Sequence, residues 1–353
     1  MSQSGARSDV GRVRRTNQDA GYAGLYLFAV ADGMGGHAGG DVASHITINH
    51  LAELDREFET IEAARDAVRT RMLEANAMLI KVVDDYPQLA GLGTTLSVIL
   101  RVGNQAVVAH IGDSRVYRLR GSDLVQLTHD HTFVQRLIDT GQITPDEAAV
   151  HPRRSVLMRV LGDVDASPTI DVDIIALETN DVFMLCSDGL TGVVPDEDIQ
   201  SVLSKQGAPQ TLANELVTRS LAEGAPDNVT VVVARDLETT TAKATKLIGS
   251  ASGENPLRTL PAQGATTEVP RAASLSLPVH TGGLPIAQLD TEHAAEQARV
   301  ATGRKRVFIG LLIAILVAAI VVGLVIYTAS TQDTALALAS VVDHVSKLVT
   351  GVG

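Results

Sequence analysis

Between Val307 and Tyr327 the chain reads VFIGLLIAILVAAIVVGLVIY, 21 residues without a charge. At about 1.5 Å of rise per residue, a helix of that length spans roughly 30 Å, the hydrocarbon thickness of a bilayer. A core helix of a water-soluble domain is seldom apolar all round over such a distance, so the run predicts one transmembrane helix at 307–327. Arg304, Lys305 and Arg306 stand directly before it, whereas the 26 residues after it carry Lys347 as their one Lys or Arg. By the positive-inside rule the long N-terminal part is expected in the cytoplasm, and 328–353 form an extracytoplasmic tail. The first residues, MSQSGARSDVGRVRR, contain no apolar run, so no signal peptide is expected. The reading is a single-pass protein of the cell membrane.

An anchor at that place divides the rest. Residues 236–303 hold five of the twelve prolines, no aromatic residue, and much Thr, Ala, Ser and Gly. Such a stretch buries too little apolar surface to offset its chain entropy, and it reads as a flexible linker. As a random coil its 68 residues would reach on the order of 45 Å. Residues 1–235 are then the folded domain. With 41 acidic against 29 basic residues, 3 % aromatics and no Trp, the chain offers neither a basic face nor a stacking platform for nucleic acid. The single Cys186 excludes an internal disulfide and a thiolate zinc site, and a reducing compartment fits.

Within 1–235 the apolar runs Tyr26–Ala31, Leu96–Val102, Ala106–Ile111, Val116–Leu119, Ile170–Leu177, Val182–Cys186 and Val229–Ala234 are short, β-branched and bounded by Gly, Asp or Asn. They read as strands. Ile61, Ala64, Val68, Met72, Ala75, Leu79, Val82 and Tyr86 recur at helical spacing. Further helices are expected at about Asp41–Leu54 and after Pro195 and Pro209. Tight turns at Gly103-Asn104 and Gly112–Ser114 suggest antiparallel hairpins. The fold class is α+β, helices layered over antiparallel sheets.

The acids fall in a pattern. Asp32-Gly33, Gly112-Asp113-Ser114 and Asp188-Gly189 each close a strand; Asp227-Asn228 opens the last one, and Asn17-Gln18-Asp19 precedes a strand expected near Tyr22. One Asp-Gly after a strand is ordinary turn chemistry. Five acids so placed, with Arg14 and Arg15 beside the first, are harder to read that way. Strand ends can gather carboxylates from distant sequence, and gathered carboxylates repel unless a cation neutralises them. Oxygen ligands without Cys or an organised His set suit hard ions, Mg²⁺ or Mn²⁺.

The segments Arg14-x-x-Asn17-Gln18-Asp19, Val30-Ala31-Asp32-Gly33-Met34-Gly35-Gly36-His37, Gly93-Thr94-Thr95, His110-Ile111-Gly112-Asp113-Ser114-Arg115, Leu127-Thr128-x-Asp130-His131, Cys186-Ser187-Asp188-Gly189-Leu190 and Asp227-Asn228-Val229-Thr230 occur in order. In order and spacing they resemble the metal-dependent protein phosphatases of the PPM, or protein phosphatase 2C, family, over about residues 5–235. The bacterial branch, in particular membrane-tethered actinobacterial enzymes that oppose Ser/Thr kinases, is most similar. The resemblance implies a four-layer sandwich, two central antiparallel β-sheets flanked by helices, with a binuclear Mn²⁺ or Mg²⁺ centre at one end. It implies that Asp32 bridges both ions, that the Gly33 carbonyl binds the second, and that Asp188 and Asp227 supply the other carboxylates. Asp113 resembles the acid that, with Asp188, holds a third metal in bacterial members. Asp19 resembles the acid that orders metal-bound water, and Arg14 the arginine that grips the substrate phosphate, with Arg15 a solvated neighbour.

The implied activity is hydrolysis of phosphoserine and phosphothreonine in proteins, Ser/Thr kinases among them, by a hydroxide bridging the two ions. A planar Arg fork suits the phosphate better than Lys would. The alternatives are a non-catalytic membrane-tethered scaffold that binds phosphoproteins, and a phosphatase of small phosphometabolites. The chain departs from the family at Gln18, where many members have Glu, and at Met34, where eukaryotic members have the His assigned as leaving-group acid. His37 and water on the Asp113 metal are the candidate replacements. Leu137–Gly162 resembles the flap beside the active site, with Ser155 where relatives have a serine near the extra metal. Cys186 reads as core, and His129-Asp130-His131 as a weak metal pattern.

Overall fold

Along residues 229–234, Val229, Val231 and Val233 enter one hydrophobic cluster, while Val232 and Ala234 enter another. Side chains alternate across a strand, so a strand apolar on both faces belongs between two layers. The alternation recurs at 182–186, with Val182, Met184 and Cys186 opposed to Phe183 and Leu185, and at 27–31, with Leu27, Ala29 and Ala31 opposed to Phe28 and Val30. Three apolar layers therefore separate four layers of secondary structure.

A computed structural model describes residues 4–162, 168–235, 237 and 246–259. The chain divides into two units, Met1–Thr267 and Glu268–Gly353, and the described residues all belong to the first. One sheet contains β1 (Ser4–Asp9), β7 (Arg115–Arg120), β8 (Asp123–Gln126), β10 (Val182–Cys186) and β11 (Val229–Arg235), in the order β1-β11-β10-β7-β8. The other contains β2 (Asp19–Ala23), β3 (Leu27–Met34), β5 (Leu96–Val102), β6 (Gln105–Ile111), β9 (Asp171–Ala176) and β12 (Lys246–Gly249), in the order β12-β2-β3-β5-β6-β9, with β4 (Gly93–Thr94) paired to the end of β3. The pairings are antiparallel.

Helices α1 (Gly36–Leu51) and α2 (Ile61–Asp85) cover the second sheet, while α5 (Asp188–Thr191), α6 (Asp196–Leu203) and α7 (Pro209–Ala222) cover the first. Two short helices, α3 (Phe133–Asp139) and α4 (Pro145–Ala149), stand at the flap. α2 buries Ile61, Ala64, Val68, Met72, Ala75, Leu79 and Val82 as its periodicity predicts, and Thr60 caps it by accepting the Ala63 N–H. Phe28, Val30, Ile99, Phe183, Leu185 and Val232 fill the space between the sheets.

Two sequence readings change. The turn at Gly103-Asn104 does close a hairpin, β5 with β6, but Gly112–Ser114 does not: β6 pairs with β5 and β9, whereas β7 pairs with β10 and β8. There the chain crosses from one sheet to the other, pinned by a 2.7 Å hydrogen bond between the Thr95 and Ser114 hydroxyls. The stretch read as linker is also not uniform, because β12 lies inside it and pairs with β2. Its Ile248 is buried between the sheets, so two apolar residues in a polar context suffice where an open sheet edge receives them. The apolar run 307–327, the tail 328–353 and the linker from residue 260 onward lie outside the described residues. Among the described residues no helix is long and apolar enough to cross a membrane.

Candidate active site

The alternation that builds the central core also builds the site. On β3, Phe28 and Val30 point between the sheets, and two residues on the same face is Asp32. On β2 the inward residues Ala23 and Gly21 are followed, in reverse, by Asp19, which the register sets opposite Asp32. Leu185 leads to Ser187, and Val232 leads back to Thr230. At this end of the sandwich the inward positions switch from apolar to polar. Asp188 opens α5 there, Asp227 precedes β11, and Asp113 sits in the crossing between sheets.

The carboxylates feel one another. Asp19 is fully buried, while Asp32, Asp113 and Asp188 each keep an edge open to a cleft. Burial pushes the Asp19 carboxyl up to about 7, against hydrogen bonds from Ser187 and Thr230, with the charges of Asp188 and Asp227 adding to the rise. Asp32 is raised well above the ordinary range by burial and then by Asp19, Asp188, Asp113 and Asp227. Asp113 is pushed up to about 8 by burial, then by Asp188 and Asp130. Asp188 is raised by burial and by Asp227. Carboxyls driven up by burial and then by one another suit a place that takes positive charge.

One oxygen of Asp19 and one of Asp188, both buried, have no hydrogen-bond partner among the described residues. A divalent cation would supply both the missing partner and the missing charge, and the all-oxygen donor set suits Mn²⁺ or Mg²⁺. Among the described residues no three His, Cys, Asp or Glu side chains already stand in a closed coordination arrangement. Asp227 is held by the Arg14 guanidinium at 2.7 Å, and Asp32 shares a hydrogen bond with Asp188. The acids form an open cluster that an ion would draw in.

A polar scaffold holds this cluster. Ser187 Oγ donates to Asp19 Oδ2 at 2.7 Å and accepts the Thr230 N–H at 3.0 Å. The Thr230 hydroxyl meets Ser8 Oγ at 2.7 Å, and Asn17 Nδ2 donates to the same Ser8 oxygen. Asn228 accepts the Gln18 N–H and donates to the carbonyls of Val10 and Thr16, which staples the loop carrying Arg14 beside Asp227. Asp32 is fixed through its backbone, its N–H donating to Thr95 Oγ1 and its carbonyl accepting from Thr94 Oγ1, both at 2.9 Å. Gly33 donates its N–H to the Gln18 carbonyl, and a Cβ on it would lie 1.9 Å from the Gly40 carbonyl oxygen, so no side chain fits. Ser187, Thr230 and Thr95 were not among the expected site residues. They lie inside the motifs, but a serine or threonine announces nothing until its partner is known.

Arg14 stands half-exposed at the mouth, its charge reinforced first by the Asp227 hydrogen bond and also by Asp32 and Asp188. A cleft of about 610 Å³ runs past Arg14, Gln18, Asp32, Met34, Asp113 and Asp188. A neighbouring cavity of about 360 Å³ lies under α3 and α4, and the two share Asp113, Ser155 and Asp188. Ser155 thus stands where flap and acids meet. Met34 lines the cleft 39 % exposed and offers no proton. The side chain of His37 lies outside the described residues. In His129-Asp130-His131 each member is engaged elsewhere: His129 with Asp139, Asp130 with the Arg115 fork, and His131 with Asp171. Cys186 is buried, its thiol pushed up to about 12 by burial, which rules out a thiolate nucleophile.

A four-layer sandwich with an acidic cluster between its sheets and an arginine at the rim defines a class, and residues 12–224 match the family described as protein phosphatase 2C. The chain belongs to that family. It is similar to the serine/threonine protein phosphatase PstP of Mycobacterium tuberculosis, 42 % identical over 275 residues that cover 77 % of this chain and 51 % of the relative. The chain therefore spans about half the length of that curated relative. A crystal structure of the M. tuberculosis enzyme superposes with a TM-score of 0.62 at 46 % identity, covering 66 % of this chain and 97 % of that one. A second, the catalytic domain of PstP in complex with two manganese ions, gives a TM-score of 0.60 at 43 % identity, covering 66 % and 96 %.

Proposed function

We propose that this chain is a metal-dependent protein phosphatase that hydrolyses phosphoserine and phosphothreonine in proteins. The observation that carries the reading is the convergence of Asp19, Asp32, Asp113 and Asp188, all with raised carboxyls and two with an orphaned oxygen, beside Arg14. The names of the relatives and the two manganese ions of the PstP catalytic domain support it. Asp32, Asp188, Asp227 and the Gly33 carbonyl would hold two Mn²⁺ or Mg²⁺ ions, and Asp113 with Asp188 a third. Bound there, the ions would supply Lewis acidity toward the phosphoryl oxygens and activation of the attacking water.

The chain's own groups do the rest. Arg14, half-exposed beside Asp227, turns its remaining N–H donors to the phosphate oxygens and fixes the ester in the cleft. Asp19, held by Ser187 on one oxygen, keeps its other oxygen available as a proton acceptor or an anchor for ordered water. The test is hydrolysis of p-nitrophenyl phosphate and phosphothreonine peptides by the full chain with Mn²⁺. Chelator or Asp32→Ala is expected to abolish it, and equal activity in chelator refutes the reading.

The same reading takes 307–327 as a single membrane span, with the domain on the cytoplasmic side, the linker as its tether, and phosphorylated proteins including membrane Ser/Thr kinases as substrates. The uncharged 21-residue run behind Arg304, Lys305 and Arg306 supports it. Protease protection in sealed membrane vesicles tests it: the tail 328–353 should resist a protease that removes the domain.

A further inference from the structure

β12 lies beyond the residues that match the family, which end at 224, and it pairs with β2 along the edge opposite β3. Its register sets Ile248 opposite Gly21 and Gly249 opposite Ala20, so the strand stops one residue short of Asp19. It is anchored on both faces: Ile248 is 6 % exposed in the core between the sheets, and Ala251, just after the strand, is 3 % exposed in the core under α1. Gly249 has φ +63°, and a Cβ there would stand 2.1 Å from the Asp19 carbonyl oxygen. The two backbones can approach this closely because residue 249 carries no side chain.

Ser250 continues the contact. Ser44, fully buried on α1, donates its hydroxyl proton to the Gln18 carbonyl at 2.5 Å, which leaves Ser250 Oγ as the donor in its 2.7 Å hydrogen bond to Ser44. His45 Nδ1 donates to the Ser250 carbonyl at 2.9 Å. The Gln18 carbonyl also receives the Gly33 N–H at 3.2 Å. Gln18-Asp19, Gly33 and α1 therefore meet at one carbonyl, and Ser250 closes the ring around it.

We propose that Lys246–Ser252 is a strap, with Ser250 its positioning residue, that sets the backbone of Gln18, Asp19 and Gly33 and through it the geometry of the acidic cluster. This rests on the phosphatase reading only for its consequence toward metal; the mechanical coupling stands without it. Supporting groups of this kind tune a site by orienting its first ligands.

The test uses the full chain and the variants Ser250→Ala, Ser250→Thr and Gly249→Val. Amide hydrogen exchange of the metal-free protein reads the strap directly. In Ser250→Ala, the peptide spanning 17–34 should exchange about fivefold faster while β5 and β6 stay as protected as in the wild type, as expected for local rather than global opening. Ser250→Thr, which restores the hydroxyl, should restore protection. Titration calorimetry with Mn²⁺ reads the consequence: about tenfold weaker binding in Ser250→Ala, and weaker still in Gly249→Val if that variant folds. Unchanged exchange over 17–34, or a loss of protection spread evenly over the domain, overturns the strap. A wild-type chain that takes up no Mn²⁺ refutes the metal reading instead, and exchange still decides the strap.

Discussion

The two ends of β10 carry two aspartates with opposite fates. Asp181, just before the strand, is 1 % exposed and receives both arms of the Arg120 fork at 2.8 Å as well as the Glu178 N–H at 2.9 Å. Asp188, just after it, shares a hydrogen bond with Asp32, faces Asp227, and has an oxygen with no partner among the described residues. Burial, strand and residue type are nearly shared; the supply of positive charge is not. At one end the protein neutralises its own carboxylate and gains structure. At the other it gathers more carboxylates than Arg14 and Arg115 can neutralise, which costs stability and, on the proposed reading, leaves room for a cation.

The largest effect follows from removing one charge at the unneutralised end. Asp188→Asn should lower Mn²⁺-dependent phosphatase activity by on the order of 10³-fold, since the negative charge and one of the two carboxylate oxygens proposed to hold metal are lost together. The same substitution should raise the melting temperature of the metal-free chain, because one repelling charge is gone. A variant that lost activity and stability in parallel would show that Asp188 is as structural as Asp181. At the neutralised end the signs reverse. Asp181→Ala strands Arg120, but that side chain is 29 % exposed and keeps Glu178, so the expected loss is about 3 kcal/mol, the low end for a broken buried pair. Thermal unfolding checks the loss, and the folded fraction should keep its turnover.

How much of this contrast could be read before the fold is seen depends on how local each signal is. β5, β6, β10 and β11 were legible because each is a β-branched run closed by turn residues, and α2 because its apolar positions repeat at helical spacing. The five acids were legible from their places at strand ends, although that Asp19 and Asp32 stand opposite each other is a matter of register. β1, with the sequence SGARSD, has no strand signature and is a strand because β11 pairs with it. The crossing at Gly112–Ser114 resembles a hairpin turn locally, and only the partners of β6 and β7 tell the difference. The hydroxyls of Ser187, Thr230 and Thr95 were silent for the same reason: their function is their partner, and the partner is distant in sequence.

A titration sharpens the comparison without any substitution. Asp19 at about 7 and Asp113 at about 8 hold protons in the metal-free native state that an unfolded chain has already released. Their contribution to stability is whole below the ordinary carboxylate range near pH 4 and is lost as pH rises through about 7 to 8. The melting temperature in chelator should therefore fall by several degrees between about pH 5.5 and about pH 8.5, and Mn²⁺ should flatten that slope. A metal-free chain that became more stable over this interval would mean that these acids are paired like Asp181.

The smallest effect tests the boundary between the two kinds of acid. Ser187 serves both the acidic cluster and the sheet: its hydroxyl donates to Asp19, and its oxygen accepts the Thr230 N–H that ties β10 to β11. Ser187→Ala removes both bonds and leaves a buried carboxylate oxygen and a buried N–H without that partner, a cost of about 1–3 kcal/mol. Were Asp19 held as Asp181 is, the loss would appear only in thermal unfolding. Because one Asp19 oxygen already lacks a partner among the described residues, freeing the other lets the carboxylate turn, and turnover should fall about tenfold while the KM for a phosphopeptide, set on the proposed reading by Arg14, stays near its wild-type value. Ser187→Thr, which keeps the hydroxyl and adds one methyl at a buried position, should recover most of the turnover; a variant whose turnover is lost equally with Ala and Thr would place the role of Ser187 in packing.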